Sequence, residues 1–291
     1  MTQNKVKILV ACHKPDSVYK DEVYIPIHVG RAISKYKDEM SNMIGDDTGE
    51  NISEKNPYYC ELTAQYWGWK NMDCEYIGLC HYRRYFKPLV TCDNIEKLMG
   101  GADIILPSSI STSVPIDKWY ADAFTDEDAY IMVESLKSLF PEKVKIIEKY
   151  FTETMHFYPC NMFICKKELF NDFASWQFDV LSKIEPLIKI SGYSRMKRIF
   201  GYFGENMLSL YCVFNNLKVK EYPLIDMIGS SNILLKPNLS KFFMDWIKFK
   251  VYKFVAGNYK WNYAAINGLK ADGIMQQIEN LRLLKAQHEK R

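Results

Sequence analysis

Residues 76–86 read "YIGLCHYRRYF", and this stretch decides which kind of fold the chain can adopt. Its first half carries no charged side chain and fits a strand that is buried on both faces of a parallel sheet. Its second half carries His81, Arg83 and Arg84 among aromatic side chains, and no carboxylate follows until Asp93. We therefore expect a core strand whose carboxyl end holds a concentrated positive charge.

Composition narrows the class of protein. The chain has 291 residues, 48% hydrophobic and 14% aromatic, enough for one large α/β domain with or without a small appendage. A net charge of +3 does not indicate a nucleic-acid partner. The eight cysteines include no CxxC pair, so neither a disulfide framework nor a zinc site is predicted and the reducing cytoplasm is favoured. The amino-terminal apolar run is too short for a signal peptide, and no apolar stretch reaches the roughly 18 residues of a membrane span.

Strand and helix patterns alternate for about 225 residues. The predicted strands include "KVKILVACHK" near the amino terminus, "ADIILPSS" and a final "LKVKEYPLI". Helices are predicted after Asn56, which suits a cap before Pro57, over 126–150, after the strand in "YPCNMFICKKELF", and after a glycine turn in "GYFGENMLSLY". This order predicts an α/β fold of the Rossmann type, with a mostly parallel sheet covered by helices on both faces.

From about residue 236 the sequence changes character. Lysines alternate with large aromatic residues over 241–263, and Asp245 is the only acid in that stretch. We therefore expect two parts, a main domain over residues 1–235 and a helical basic–aromatic extension over 236–291.

Polar residues follow the predicted strands at the edge where ligands bind in open α/β sheets. The first strand and the "YIGLCH" strand end in basic groups, and the loop at 41–56 supplies carboxylates. Arginine binds phosphate through two parallel hydrogen bonds and acids accept from ribose or base, so the set suits a nucleotide diphosphate; the alternative is a structural ion-pair cluster. The candidate residues of this site are His13, Asp46, Asp47, Asn51, His81, Arg83 and Arg84.

Two further places offer polar groups to a cleft. In "MHFYPCNMFI", His156 and Asn161 are candidates to hydrogen-bond sugar hydroxyls, although a lone histidine before an apolar strand is often structural. In "GYFGENMLSL", Glu205 follows Gly204. This glutamate is either an acid favoured by a helix amino terminus or a general base that deprotonates an acceptor hydroxyl.

Other motifs are absent or have a structural interpretation. Asp126 and Asp128 have the Asp-x-Asp spacing of a cation site, but they stand before a helix, and Thr125 and Asp128 are spaced as a capping box, so we expect a helix cap. The sequence contains no zinc-protease spacing, Walker A loop, GxGxxG or GxSxG.

Four segments carry a resemblance to a known family: "IGDDTGENISEKNPYYCELTAQYWGWKN", "YIGLCHYRRYF", "YPCNMFICKKELF" and "FGENMLSLY". Together they resemble a bacterial family of capsular-polysaccharide or exopolysaccharide glycosyltransferases that was long catalogued as a domain of unknown function. The resemblance covers about residues 5–230. Some members of that family are assigned as galactosyl or galactofuranosyl transferases.

The resemblance implies a GT-A-like fold, in which one half binds a nucleotide-sugar and the other half binds the acceptor. In that fold the strand at 76–80 would end in a metal-binding Asp-x-Asp, which "HYRRYF" replaces here, so no metal ligands are predicted and Mn²⁺ or Mg²⁺ is not expected. Arg83 and Arg84, with His81, would instead neutralise the departing diphosphate. Glu205 matches the place of the catalytic base in inverting enzymes.

The implied reaction moves a sugar, galactose or galactofuranose, from a UDP-sugar to a hydroxyl of a polyprenyl-linked oligosaccharide in capsule or exopolysaccharide synthesis. The nucleotide would be contacted by His13 and by Asp46 or Asp47, and the sugar or acceptor by His156 and Asn161. The stretch 241–263 would bind an anionic membrane surface and hold a cytoplasmic enzyme on the inner face of the bacterial plasma membrane. The alternatives are a nucleotide-sugar hydrolase or phosphotransferase, and a non-catalytic glycan- or lipid-binding component of the assembly complex.

Overall fold

The computed structural model of the protein describes residues 5–119, 123–228, 231–235, 238–256 and 261–288. Its strands are β1 (Val6–Cys12), β2 (Tyr24–His28), β3 (Ile44–Gly45), β4 (Tyr76–His81), β5 (Arg84–Phe86), β6 (Ile104–Pro107), β7 (Ile110–Ser111), β8 (His156–Phe157), β9 (Phe163–Lys166), β10 (Val219–Tyr222), β11 (Leu224–Ile228) and β12 (Ser231–Leu235). Its α-helices are α1 (Asn56–Tyr59), α2 (Leu62–Asn71), α3 (Ile95–Met99), α4 (Ile116–Trp119), α5 (Asp126–Leu139), α6 (Val144–Glu153), α7 (Lys167–Ile184), α8 (Ile199–Phe214), α9 (Leu239–Ala256), α10 (Tyr263–Ala271) and α11 (Ile274–His288).

The chain divides into two compact units, each built from three segments. The first unit comprises Met1–Ile110, Tyr158–Trp176 and Gly204–Pro237, and the second comprises Ser111–Phe157, Gln177–Phe203 and Asn238–Arg291. The predicted extension over 236–291 therefore shares its unit with two internal segments, and the predicted 1–235 domain contributes to both units. Residues 236–237, 257–260 and 289–291 of that extension lie outside the described residues.

The first unit is built on a sheet whose main strands run in the order β10-β6-β9-β4-β1-β2-β3. Parallel pairing joins β1 to β2 and β4, β2 to β3, and β6 to β10. Among these described strands β9 alone is antiparallel to its neighbours, β4 and β6. The predicted α/β class with a mostly parallel sheet is confirmed.

Helices cover both faces of this sheet. Ile8 and Val10 of β1 are buried in an apolar cluster that contains Leu98 of α3. Leu9 points to the other face, where a Cβ added to Gly68 of α2 would come within 2.7 Å of the Leu9 Cδ1 atom. Burial on both faces explains why β1 and β4 are apolar without alternation, and the close approach of α2 requires glycine at position 68.

Two strands between β1 and β4 were not predicted. The strand at 76–80 is β4, because β2 and β3 precede it in the chain. Pro26 lies within β2, and a proline in a short apolar run argues against a strand when only the sequence is read. In the sheet Pro26 lies opposite Val10 of β1, whereas pairing with β3 starts only at Ile27. The missing N–H of Pro26 therefore costs no hydrogen bond to β3.

The predicted final strand "LKVKEYPLI" is two strands, and Pro223 lies between them. β10 pairs in parallel with β6, while β11 pairs antiparallel with β5 and β12. Proline has no N–H with which to continue a ladder, so the chain changes partners there.

The predicted helix at 126–150 forms in the second unit as α5 and α6, and it is interrupted near Pro141. The capping box is confirmed: the Thr125 side chain accepts a hydrogen bond from the Asp128 backbone N–H, and the Asp128 side chain accepts one from the Thr125 backbone. Asp128 is thereby committed to the helix start, as expected.

Candidate active site

The carboxyl ends of β1, β2, β3 and β4 lie side by side at one edge of the sheet in the first unit. Ala11 of β1 lies opposite His81 of β4. Cys12 lies opposite His28 of β2, which in turn lies opposite Gly45 of β3. The loops that follow these strands share this edge, although adjacent strands about 4.8 Å apart put the loop after β3 roughly 14 Å from His81.

The cations of "HYRRYF" lie on a tight hairpin, because β4 turns directly into β5 and His81 lies opposite Arg84. Arg83 donates from Nε and Nη2 to Oδ2 of Asp16, at 2.9 and 2.7 Å. Arg84 lies opposite Asp226 of β11 and donates from Nε to its Oδ1 at 3.2 Å. Each arginine is thus paired with an acid that is distant in sequence.

Both arginines keep a surface for an anionic ligand. Their side chains remain 38% and 42% exposed for Arg83 and Arg84 respectively. A guanidinium carries five N–H donors, and the ion pairs use only part of them. The hairpin is therefore both braced and able to accept further anionic groups.

His81 pairs with a buried glutamate, Glu61. Its Nε2 lies 2.9 Å from the carbonyl oxygen of Cys160 and 3.7 Å from Oε1 of Glu61. The same Glu61 oxygen accepts a hydrogen bond from Nδ2 of Asn161 at 2.7 Å. The residues that meet at the end of β4 are therefore drawn from three separate stretches of the chain.

Glu61 and His81 form an ion pair. Burial alone would lower the pKa of His81, but the attraction of Glu61 and the hydrogen bonds to Glu61 and Cys160 hold that pKa above its ordinary value of 6.5. Burial alone would raise the pKa of Glu61, but His81 and Asn161 hold it below its ordinary value of 4.5. The pair therefore favours the imidazolium form of His81 at the strand end.

An interruption in a predicted helix positions Glu61. The run after Asn56 forms α1 and α2 rather than one helix, because Cys60 adopts a φ of 52° between them. Nδ2 of Asn56 donates to the Cys60 carbonyl at 2.8 Å and holds this turn. Asn56 is itself the first residue of α1 rather than the predicted cap. Glu61 then leads into α2 with only 7% exposure.

The loop before β9 is held in an unfavourable backbone conformation. Cys160 and Asn161 have φ values of 73° and 49°, in the left-handed region that non-glycine residues seldom occupy. Such residues cost on the order of 1–3 kcal/mol each and persist where surrounding contacts enforce them. Here those contacts include His81 on the Cys160 carbonyl and Nη1 of Arg84, which donates to the Cys160 Sγ at 2.9 Å.

Glu205 lies beside this loop on α8. The predicted glycine turn is wrong, because α8 begins at Ile199 and Gly204 lies inside it. A Cβ on Gly204 would come within 2.9 Å of both Oδ1 of Asn161 and Cδ1 of Leu62, so glycine is needed for the packing of helix against loop. Glu205 is in the second turn, beyond the reach of the amino-terminal dipole, so the helix-start explanation of this acid does not apply.

Glu205 is partly buried, and its charge interacts electrostatically with the Cys160 thiol. Burial raises the pKa of that thiol to about 12, and Glu205 adds to the rise. The thiol therefore stays protonated at neutral pH. We refer to the residues gathered here as the β4 cluster: Glu61, His81, Arg84, Cys160, Asn161 and Glu205.

The predicted carboxylates after β3 differ in accessibility. Asp46 is fully buried and accepts hydrogen bonds from the N–H groups of Gly30 and Arg31, at 2.8 and 3.1 Å, and from the hydroxyl of Ser53. Asp47 pairs with Nη1 of Arg31 at 3.4 Å and keeps 25% exposure. Asp46 thus braces the loops, and Asp47 is the one of the two that can reach a ligand.

His13 and Asn51 also lie in the loops of this edge. The His13 ring is exposed and packs edge-on against Tyr82, with the ring centroids 5.3 Å apart. Asn51 closes its own loop, since its Nδ2 donates to the Gly49 carbonyl at 2.9 Å and its Oδ1 accepts from the Ser53 N–H at 3.1 Å. Ligand binding by either residue stays a prediction.

His156 belongs to the second unit, whereas Asn161 belongs to the first. The His156 ring stacks on Phe242 of α9, with centroids 5.1 Å apart and an angle of 13° between the planes. The shared sugar or acceptor site predicted for His156 and Asn161 therefore stays a prediction.

The residues at this edge do not fit the divalent metal that a GT-A-like fold implies. Hard cations need several oxygen ligands, but Asp16, Asp226 and Glu61 are each paired with a cationic side chain. Within the described ranges, no group of three or more His, Cys, Asp or Glu side chains is arranged to hold a metal ion.

Sequence reasoning missed the three acids that partner the cations, Asp16, Glu61 and Asp226. Asp16 and Asp226 are 67 and 142 positions from their arginines, so no local pattern links them. Glu61 offered one signal, an acid within the apolar run "YYCELTAQYW", where a buried charge requires a partner.

The fold and site define a protein of glycosyltransferase-like architecture. The structure is similar to that of the bifunctional glycosyltransferase WbbM in its apo form, with a TM-score of 0.66 and 29% sequence identity. The likeness covers 80% of this chain and 47% of that one, so the chain spans about half the length of the protein it matches. Residues 7–216 match the model of the family described as a domain of unknown function, DUF4422, and the chain belongs to this family. Comparison with curated proteins finds no match.

Proposed function

We propose that the protein is a glycosyltransferase that moves a sugar from a UDP-sugar to a hydroxyl of a lipid-linked oligosaccharide. The observation that carries the proposal is the β4 cluster, in which Arg84 donates to Cys160 and Glu205 directly follows Gly204, the point where α8 packs against Asn161 of the same loop. This is the edge where open α/β sheets bind ligands. The similarity in fold to WbbM supports the same class of reaction.

The donor diphosphate binds at the β4–β5 hairpin in this proposal. Arg83 and Arg84 offer guanidinium donors, and His81 adds a positive charge that Glu61 maintains. These fixed charges stabilise the negative charge that develops on the departing UDP, which is the task a divalent metal performs in other enzymes. The nucleotide extends along the edge towards His13 and Asp47, on loops that Asp46 and Asn51 hold in place.

Glu205 is the proposed catalytic base. It accepts the proton of the acceptor hydroxyl while that oxygen bonds to the anomeric carbon of the sugar. The bond from the anomeric carbon to the diphosphate oxygen breaks, and UDP leaves with the electron pair, so the product has inverted configuration. Asn161 is buried and donates to Glu61, so in this proposal it holds the loop beside α8 in place for the attack.

The finer assignments rest on the resemblance of the four sequence segments. They give galactose or galactofuranose as the sugar, a polyprenyl-linked oligosaccharide of capsule or exopolysaccharide synthesis as the acceptor, and His156 as a further acceptor contact. A thermal-shift series with UDP, GDP, CMP and dTDP sugars tests the donor. We expect stabilisation by the UDP compounds, because a ligand that binds only the folded state raises the melting temperature.

The test of the reaction is UDP release from UDP-galactose or UDP-galactofuranose with and without octyl galactosides as acceptors. We expect release to depend on the acceptor. Equal release without acceptor would indicate a nucleotide-sugar hydrolase or phosphotransferase, and UDP-sugar binding without release under any condition would indicate a non-catalytic binding component.

Glu205→Gln tests the base. This variant keeps the shape of the side chain but cannot accept the proton, so we expect kcat to fall by about 10²- to 10⁴-fold while donor affinity is retained. The matched control is Glu168→Gln, which alters an exposed acid in the first turn of α7. Because α7 follows β9, which is antiparallel to β4, Glu168 lies at the opposite edge of the sheet from the site. Full activity in Glu205→Gln would remove Glu205 from the mechanism.

A further inference from the structure

Helix α9, in the second unit, buries its one acidic residue. Asp245 is 8% exposed, although it is the single acid of the helix. It accepts hydrogen bonds from Oγ of Ser111 at 2.6 Å and from Nζ of Lys241 at 2.5 Å. Phe249, one helical turn further along α9, is also buried. The inner face of α9 is therefore anchored by one ion pair and one aromatic ring.

The outer face of α9 is apolar. Phe243, Ile247 and Phe254 stand at i, i+4 and i+11, so they form one stripe along the helix. Phe254 is 89% exposed and Phe243 is 57% exposed. The exposed apolar side chains of α9 also include Leu239, Met244, Trp246, Val251 and Val255. A cluster of exposed apolar side chains along a surface helix indicates a binding surface rather than ordinary scatter.

Lysines accompany this face. Lys248 and Lys250 are exposed, and Lys250 lies 5.9 Å from the centre of the Trp246 ring. Because Asp245 is buried and paired, the exposed side of α9 presents positive charge without an acid of its own. A second copy of the same face would bring lysines against lysines, whereas an anionic surface complements them.

We propose that the exposed face of α9, defined by Phe243, Ile247, Val251 and Phe254 with Lys248 and Lys250, docks onto a membrane surface that carries anionic phospholipids. The helix lies parallel to the bilayer, with its aromatic side chains in the interface and its lysines at the headgroups. None of the helices in the described residues is long and apolar enough to cross a membrane. Residues 257–260 of the predicted stretch 241–263 lie outside the described residues.

The proposal does not require glycosyl transfer, and it is tested by flotation of the full chain with vesicles. Vesicles of phosphatidylcholine alone are compared with vesicles that also contain phosphatidylglycerol. We expect flotation with the anionic vesicles, weakened as salt rises from about 0.1 M to about 1 M and the screening length falls from about 10 Å to about 3 Å. Binding that is indifferent to lipid charge and to salt would overturn the electrostatic part of the proposal, and absence of binding would overturn it entirely.

Two double variants separate the contributions of the face. Phe243→Ser with Phe254→Ser removes two exposed rings, and we expect partitioning onto anionic vesicles to fall by at least about tenfold. Lys248→Glu with Lys250→Glu should abolish the preference for anionic lipid, since each basic residue near such a surface adds about 1 kcal/mol. The matched control is Tyr193→Ser, a 78% exposed aromatic residue of the same unit outside α9.

Sedimentation velocity without lipid tests the alternative that a second copy of the chain, rather than a membrane, covers this face of α9. A wild-type dimer that Phe243→Ser with Phe254→Ser converts to monomer, with no vesicle binding by either protein, would show that α9 binds a second copy. Thermal melting of each variant tests whether it is folded. We expect the melting temperature of the wild type, because all substituted positions are exposed.

Discussion

The charge of His81 depends on one carboxylate, that of Glu61, and this pair gives the structure a pH signature. The pKa of His81 is raised above 6.5, so its contribution to stability is present below about pH 6.5 and is lost as the pH rises through the raised pKa. The pKa of Glu61 is lowered below 4.5, so its contribution is present above about pH 4.5 and is lost as the pH falls through the lowered pKa. The pair therefore stabilises the fold most strongly between these two values.

Glu61→Gln should remove this signature. We expect the free energy of unfolding to fall by about 1–3 kcal/mol near pH 5.5, because a buried charge loses its partner, and by less near pH 8.5. Urea denaturation at both values measures the difference, and NMR titration of the His81 ring should show its pKa lowered in the variant. The control, Glu50→Gln, alters an exposed acid paired with Lys70 and should leave His81 unchanged. An unaltered His81 pKa in Glu61→Gln would contradict the pairing.

At the level of elements, the contact of α8 with the loop before β9 fixes the part of the helix that carries Glu205. Gly204 is the closest point of this contact, and Asn161 of the loop is itself held by Glu61. The helix, the loop and the end of β4 thus position one another. A change in one of them should be felt in the stability of the unit as well as in the position of the acid.

Gly204→Ala tests this packing. The added methyl group would meet Asn161 and Leu62 at 2.9 Å, so we expect a loss of about 1–3 kcal/mol in the free energy of unfolding. The control is Gly268→Ala in α10, where no atom lies within 4 Å of the new Cβ. There the same substitution should stabilise by about 0.5–1 kcal/mol through helix propensity, as measured by denaturation. Equal stabilisation at both positions would show that α8 and the loop are not in close contact.

For the molecule as a whole, the replacement of carboxylates by cations at the end of β4 predicts catalysis without a divalent metal. UDP release should be unchanged by EDTA and by added Mn²⁺, because guanidinium and imidazolium groups already face the diphosphate in the proposed complex. Loss of activity with EDTA, restored by Mn²⁺, would contradict this prediction and would direct attention to Asp47, the partly exposed carboxylate after β3. Arg84→Gln is the companion variant, and it should weaken donor binding whether or not metal is present.

The sequence predicted strands and cations of the site but not the contacts that these cations make. The strands at 6–12 and 76–81, the cations at their ends and the capping box at Thr125 follow local rules of burial and hydrogen bonding, which a sequence displays directly. β2 was missed because Pro26 violates a local rule that the sheet tolerates. The break at Cys60 was missed because the contacts of Asn56, rather than any helix-breaking residue, produce it.

The sequence by itself determined that a core strand ends in His81, Arg83 and Arg84, since continuous apolar residues favour burial on both faces and the charges must then lie beyond the strand. Only the tertiary structure decided what those charges meet. Their partners Glu61, Asp16 and Asp226 are brought to the strand end by a helix break, a loop after β1 and the pairing of β5 with β11. The physical reason is that a buried or half-buried charge must be compensated, whereas nothing in local sequence specifies which distant acid supplies the compensation.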